Sequence, residues 1–211
     1  KRQPPGQSLP TWELLSLGGM SKAYAHVCED KIFLVERAGI SFFGLEKRQL
    51  VQLPIARPLG YNFNMMSLIC MGSSMPVTFY SFGGPLTLMD SQKLLKCEFN
   101  NQQSWEIVHT HDKLAKEKCA AFVREKSIIV FAGIDGVNNN DPITEMLQIS
   151  IPDYALTTIQ PINQAPKLIR FAYVYDTEND RLIVHGGRIG DSHSNVEYST
   201  MMFEFSFENC S

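Results

Sequence analysis

Apolar residues along this chain fall in short runs that are separated by clusters of polar, glycine and proline residues. Short runs bounded by turn-forming residues are typical of β-strands, and no long stretch keeps the 3.6-residue period of an amphipathic helix. A turn of helix fits only at 94–96 and 112–118. The pattern therefore predicts an all-β chain, with strands at 23–28, 31–36, 40–45, 49–53, 63–71, 77–82, 93–99, 105–108, 119–124, 127–131, 144–151, 155–159, 168–175, 181–185 and 199–207.

One sequence motif recurs: an apolar strand that is followed directly by a glycine pair. It is found at Gly83-Gly84 and again at Gly186-Gly187, and a weaker copy at Ala132-Gly133 has lost the first glycine. The first positions of the three pairs are 49 and 54 residues apart. This spacing is close to the ~50-residue period of kelch-type repeats, so the chain is predicted to consist of repeated small antiparallel sheets.

A second sequence motif marks the end of a repeat unit. Trp12-Glu13-Leu14-Leu15 returns as Trp105-Glu106-Ile107-Val108, each followed by a polar loop and a new strand. Cutting there gives units near 16–53, 54–108, 109–160 and 161–211, after a Pro- and Gln-rich linker at 1–11. The last unit lacks a fourth strand, and 12–15 could close the ring by supplying it. The alternative is a larger ring with further blades before residue 1.

These features together resemble the kelch family. The second unit has Gly83-Gly84, then Leu88-Met89-Asp90, then Trp105 at the start of its fourth strand. The resemblance implies a kelch-like β-propeller over 12–211, of about four four-stranded blades, that acts as a protein-binding scaffold. It also implies structural roles for Gly83, Gly84, Gly133, Gly186, Gly187, Trp12 and Trp105.

Composition narrows the classes of partner. The net charge is −3 and the basic residues are scattered, so neither nucleic acid nor an anionic membrane is expected as a partner. The 32 residues between Arg57 and Asp90 carry no charge, but prolines and asparagines interrupt them and argue against a membrane span. The five cysteines form no C-x-x-C pair and lie mostly in apolar runs, which favours reduced thiols and a cytoplasmic location.

In such a propeller, the loops between second and third strands, and between successive blades, form one rim. Function concentrates in loops on a rigid scaffold, and Arg and Tyr are favoured interface anchors. The candidate residues for binding a protein or peptide lie in or near these loops and are Arg57, Tyr61, His109, His111, Arg170, Arg188, Asp191 and His193.

Other chemistry is not predicted. His109 and His111 have a spacing that could hold a metal ion, but the sequence offers no third ligand at a spacing characteristic of a metal site. The acidic loop 135–141 lacks the ligand pattern of a calcium loop. Glu117 and Asp176 could form a glycosidase pair only at a specific separation. No cofactor is expected, and the alternatives kept open are a propeller enzyme (glycoside hydrolase or galactose-oxidase-like) and a structural domain for self-association.

Overall fold

The computed structural model describes residues 24–28, 31–35, 40–53, 55, 66–71, 77–83, 91–99, 104–135, 143–151, 153–160, 166–189 and 197–208. Within these ranges the chain is all β apart from one 3-10 turn at Asp112–Leu114, which confirms the predicted class. The other place suggested for a helical turn, 94–96, lies inside a strand. No helix in these ranges is long and apolar enough to cross a bilayer.

The strands of the first half are β1 (Tyr24–Cys28), β2 (Lys31–Val35), β3 (Ile40–Gly44), β4 (Gln49–Gln52), β5 (Met66–Met71), β6 (Val77–Gly83), β7 (Lys93–Phe99) and β8 (Glu106–Thr110). Those of the second half are β9 (Lys116–Glu117), β10 (Ala120–Arg124), β11 (Ser127–Phe131), β12 (Ile134–Asp135), β13 (Met146–Ser150), β14 (Leu156–Ile159), β15 (Leu168–Ile169), β16 (Ala172–Asp176), β17 (Arg181–His185), β18 (Arg188–Ile189), β19 (Glu197–Tyr198) and β20 (Met202–Ser206).

Four main antiparallel sheets follow one another among the described residues. Sheet 1 has the order β1-β2-β3-β4, sheet 2 has β5-β6-β7-β8, and sheet 3 has β10-β11-β13-β14. Sheet 4 has the order β16-β17-β20. Every strand pairs with the next strand of its own sheet, so each sheet is built from local connections.

Two small sheets prolong sheets 3 and 4 at one end. β9 pairs with β12 beyond sheet 3, and β15, β18 and β19 pair beyond sheet 4. The single strand predicted at 168–175 is therefore wrong in this detail, because Arg170 has φ 57 and divides it into β15 and β16. A residue in the left-handed region cannot continue a pleated strand.

The hydrophobic cores lie between sheets that are consecutive in sequence. Sheets 2 and 3 each contribute alternate side chains to the cores on their two faces, as the two-residue period of a strand requires. The core between sheets 1 and 2 contains Phe33, Ile40, Phe79 and Cys97. The core between sheets 2 and 3 contains Ile69, Phe82, Leu94, Ile128 and Leu147, and that between sheets 3 and 4 contains Phe122, Ile129, Phe131, Leu182, Val184 and Phe207.

β11 shows how a middle sheet is packed. Ile128 and Ile129 are neighbours in the chain and both are fully buried, with 0% exposure. Ile128 packs in the core shared with sheet 2, whereas Ile129 packs in the core shared with sheet 4. Burial on both faces explains why β11 is a continuous apolar run rather than an alternating one.

Polar contacts also join sheets 3 and 4. The Tyr173 hydroxyl donates a hydrogen bond to the Ala121 carbonyl oxygen at 2.9 Å, and the Ala121 amide donates to the Tyr173 oxygen at 3.2 Å. Tyr173 is on β16 and Ala121 is on β10, so one side chain satisfies both backbone groups of a residue on the neighbouring sheet.

A charged cluster links the same two sheets at the end that carries the turn 177–180. Arg124 donates from Nε and Nη2 to the two carboxylate oxygens of Asp180, both at 2.8 Å, and its guanidinium lies 4.8 Å from the ring centre of Phe207. The Tyr175 hydroxyl donates to Asp180 at 2.6 Å. The hydrogen bond from Arg124 holds the pKa of Asp180 below its usual range, despite the opposing effect of burial.

Asp180→Asn should lower the free energy of unfolding at pH 7 by about 1–2 kcal/mol, since a two-point charged contact on a part-exposed group is lost. Because the folded-state pKa of Asp180 is depressed, its contribution is present above the unfolded pKa of about 4 and is lost as the pH falls through the folded value. Denaturant melts from pH 7 to pH 2 should show the variant and the wild type converging. Glu178→Gln, in the same turn, is the control, and a gap that stays constant down to pH 2 would contradict the assignment.

Candidate partner-binding end of the sheets

The three glycine motifs lie at the end of β6 and directly after β11 and β17. They mark one end of the sheets, which we call the glycine end. Gly83, Gly133 and Gly187 have φ of 77°, 98° and 95°. A Cβ at Gly83 would lie 2.1 Å from the Lys116 carbonyl oxygen, and one at Gly187 would lie 2.9 Å from the Phe171 Cβ. Only glycine fits these two places, because a side chain would be strained and would also collide with a neighbouring strand.

The first residue of the glycine pair need not be glycine in the two later copies of the motif, at positions 132 and 186. Ala132 is buried with φ 57°, and Gly186 has φ 70° with only the Ser199 carbonyl oxygen near its missing Cβ, at 3.6 Å. Alanine can therefore occupy this position at the cost of a left-handed backbone, roughly 1 kcal/mol. The lost glycine of the third copy is thus compatible with the same backbone turn.

The segment 112–118 crosses the glycine end from sheet 2 to sheet 3 and is anchored by charge. Lys113 forms an ion pair with Glu145, and the Lys116 Nζ lies 3.4 Å from the second carboxylate oxygen of Glu145. Thr158 donates to Glu145 at 3.2 Å. Burial raises the pKa of Glu145, but the hydrogen bond from Lys113 and the charge of Lys116 outweigh it and lower the pKa overall. This anchored segment holds the neighbouring His111 in place at the glycine end.

His109 and His111 come together at the glycine end of sheet 2. Their rings stack with centres 6.2 Å apart and planes 16° apart, and the His111 Nδ1 accepts a hydrogen bond from the Lys113 amide at 3.1 Å. Across the described ranges, no three His, Cys, Asp or Glu side chains are grouped so as to hold a metal ion. His111 is exposed, whereas His109 is half-buried and its Nε2 is shielded from solvent, so the pair is a structural feature of the turn with one exposed imidazole.

Two candidate arginines flank the glycine end of sheet 4. Arg170 is exposed in the break between β15 and β16. Arg188 is half-buried on β18, where the register places it between Ile169 and Tyr198. Directly opposed side chains on neighbouring strands are about 5 Å apart at Cβ, so Arg188 and Tyr198 form one surface.

Large apolar side chains are exposed at the same end of sheet 4. Tyr198, Met201 and Met202 are 74%, 61% and 69% exposed, and we call these three residues the rim patch. Backbone hydrogen bonds fix them to the glycine pair, since the Ser199 amide donates to the Gly187 carbonyl at 2.8 Å and the Gly186 amide donates to the Met201 carbonyl at 3.1 Å. The sequence offered no signal for the methionines, because they lie in an apolar run that predicts a buried strand.

The remaining candidates either lie outside the described residues or belong to other parts of the sheets. Arg57, Tyr61, Asp191 and His193, together with the structural candidates Gly84 and Trp12, lie outside the described residues. Trp105 is half-buried against the core between sheets 1 and 2. Glu117 is on β9 at the glycine end, whereas Asp176 ends β16 at the opposite end of sheet 4, so the two carboxylates are not placed as a glycosidase pair.

No protein-family model matches the chain, and no curated protein matches its sequence.

Proposed function

We propose that the chain is a protein-recognition module built as a kelch-like β-propeller, or as part of a larger ring, and that it binds a partner protein or peptide through its glycine end. Consecutive antiparallel sheets of four, four, four and three described strands that pack face to face, with tight left-handed turns at the same end, support the propeller assignment. We also propose a cytoplasmic location, because the five cysteines of the sequence form no C-x-x-C pair and lie mostly in apolar runs.

The rim patch is the observation that carries the functional proposal. Tyr, Met and Arg are enriched at the centres of protein interfaces, and here Tyr198, which pairs across two strands with Arg188, is exposed together with Met201 at the end of sheet 4 that also carries the exposed Arg170. Tyr198 and Met202 lie on strands, and backbone hydrogen bonds hold the segment between them, which includes Met201, so little backbone ordering entropy is lost on binding. Such a surface suits an extended or helical segment of another protein with one or two apolar anchors.

The test is affinity capture with the full chain as bait, followed by quantitative mass spectrometry. We expect Tyr198→Ser combined with Met201→Ser to lose the specific partners, because both apolar anchors are removed while the backbone contacts remain. The matched control is Leu45→Ser combined with Ile107→Ser, which removes two exposed apolar side chains elsewhere, on sheets 1 and 2. Identical recovery by the rim-patch variant and the wild type would contradict the proposal.

Self-association is the structural alternative. Light scattering at two concentrations separates it from partner binding, since a self-associating rim patch gives a mass that rises with concentration and falls back in the Tyr198→Ser variant. A propeller enzyme is the other alternative, and it is kept open; among the described residues, no group of three or more His, Cys, Asp or Glu side chains could hold a metal ion.

A further inference from the structure

β4 is the outer strand of sheet 1, and every one of its residues is exposed. Its two central residues are apolar, and Leu50 and Val51 are 42% and 41% exposed. Sheet 1 ends at β4, and none of the described residues pairs with the outer side of that strand. An edge of this kind presents a row of backbone donors and acceptors that can pair with another strand.

The outer strands of the other three sheets are better protected. β8 carries the exposed Glu106 and β20 carries the exposed Glu204, and a charge at an edge opposes pairing with another chain. β14 has no charged residue, but only Thr157 of its residues is exposed. β4 contains neither a charged residue nor a proline. Among these four strands, β4 therefore has the edge best suited to pairing.

The hydrogen bonds between β3 and β4 show which backbone groups of β4 point outward. The Leu53 amide donates to the Ile40 carbonyl oxygen at 2.9 Å, so the backbone groups of Leu53 face β3. Because backbone groups alternate in direction along an antiparallel strand, those of residues 49 and 51 also face β3. The amides and carbonyls of Leu50 and Gln52 therefore point away from the sheet.

We propose that a second copy of this chain pairs antiparallel with β4 about a two-fold axis, so that the two copies of sheet 1 join into one sheet. The best register places Leu50 opposite Gln52 of the second copy and Gln52 opposite Leu50, and each of these pairs exchanges both of its backbone bonds. If Leu50 lay opposite itself, the next pair would need Arg48, whose φ is 51°. If Gln52 lay opposite itself, the next pair would need Pro54, which has no amide hydrogen.

The same register suits the side chains on both faces of the strand. Val51 lies opposite Val51 of the second copy, on the face that carries Phe42 and the core between sheets 1 and 2. Leu50 lies opposite Gln52 on the face that carries the buried Phe43. Directly opposed apolar side chains stabilise a sheet, and no like charges meet within the strand. The pairing thus covers both exposed apolar residues.

A second copy fits this edge because β4 is its own complement. The residues that must donate and accept in the added strand are again Leu50 and Gln52, and neither chain keeps an open β4 edge after pairing. A two-fold interface of this kind closes at two chains and does not continue into a fibre. Since the contact is only one strand wide, we expect a reversible dimer. The interface is separate from the rim patch, which lies on sheet 4.

The first test is light scattering of the full chain over a wide range of concentration. We expect the mass of the wild type to rise from 23.8 kDa toward twice that value and to level off there. Gln52→Pro should stay monomeric, because it removes an outward amide and no bond to β3. Gln52→Ala is the matched control, since it keeps the amide and should still dimerise. Circular dichroism checks folding, and Val51→Lys, which opposes two like charges, replaces a proline variant that does not fold.

The register is tested by mild oxidation of Val51→Cys and Leu50→Cys, followed by peptide mapping. In the proposed pairing the two positions 51 form a non-hydrogen-bonded pair, about 4.5 Å apart at Cα, which is within disulfide range. The two positions 50 are diagonal neighbours, about 7–8 Å apart, and lie beyond that range. Rapid linkage of two chains through Val51→Cys, with little through Leu50→Cys, supports the proposal.

Three results overturn it: a wild type that stays at 23.8 kDa at every concentration, a mass that rises equally in Gln52→Pro, or faster linkage through Leu50→Cys. A monomeric wild type whose captured partners are lost in Gln52→Pro also overturns it, because the edge then takes a strand of another protein. Tyr198→Ser leaves β4 intact, so dimerisation that persists in that variant is separate from any self-association of the rim patch.

Discussion

Gly187→Val is expected to prevent the chain from folding, and Gly187→Ala to lower the free energy of unfolding by roughly 2–4 kcal/mol. Two effects add at this position. Its φ of 95° is outside the range that β-branched residues adopt, and a Cβ would meet the Phe171 Cβ at 2.9 Å and the Ile169 carbonyl oxygen at 3.2 Å. Because both neighbours belong to the adjoining segment of the same sheet, the clash cannot be relieved without moving the β15 to β16 break.

The adjacent glycine is a matched control. Gly186 has φ 70° but only one atom near its missing Cβ, at 3.6 Å, so Gly186→Ala should cost about 1 kcal/mol, the backbone penalty alone. Urea melts of the two alanine variants, compared at equal m-values, give the difference. A Gly187→Val protein that is soluble and melts like the wild type would show that the glycine end is not built as described.

Phe79→Ala should produce the second large effect, a loss of about 3–5 kcal/mol in the free energy of unfolding. Phe79 is fully buried on β6 in the core between sheets 1 and 2, and its ring meets that of Phe33 edge-on with centres 5.2 Å apart. The substitution leaves a cavity between two sheets rather than within one. Since each sheet buries its faces only against its neighbours, the whole chain should melt earlier in a single transition.

Ile107→Ala is the comparison for this variant, because Ile107 is on the same sheet but 55% exposed, and its loss should cost less than about 1 kcal/mol. Fluorescence and circular dichroism followed together in guanidinium chloride report whether the transitions coincide. Equal stabilities for the two variants would mean that the face of sheet 2 bearing Phe79 is not packed against sheet 1.

The strands could be predicted well because their signals are local. Ser127–Phe131 and Arg181–His185 are apolar runs between turn-forming residues, and the structure gives them the predicted bounds. The breaks could not be predicted. Arg170 and Lys118 have φ of 57° and 55°, yet neither residue type signals a left-handed backbone, and the small strands beyond these breaks depend on pairing across the sheet.

The candidate site was predictable only in part. His109, His111, Arg170 and Arg188 lie at the glycine end, where loops were expected to gather them, but the exposure of Met201 and Met202 depends on where β20 begins. Contacts between sheets, such as that of Arg124 with Asp180, join residues far apart in sequence. No local pattern encodes them, because they follow from how the sheets stack.

The stacking of consecutive sheets is tested most directly by methyl NOEs from two adjacent isoleucines. Ile128 should show NOEs to Ile69 and Leu94 of sheet 2, and Ile129 should show NOEs to Leu182 and Val184 of sheet 4, since the two side chains leave β11 on opposite faces. Contacts of both methyl groups with a single sheet, or of either with sheet 1, would contradict the account.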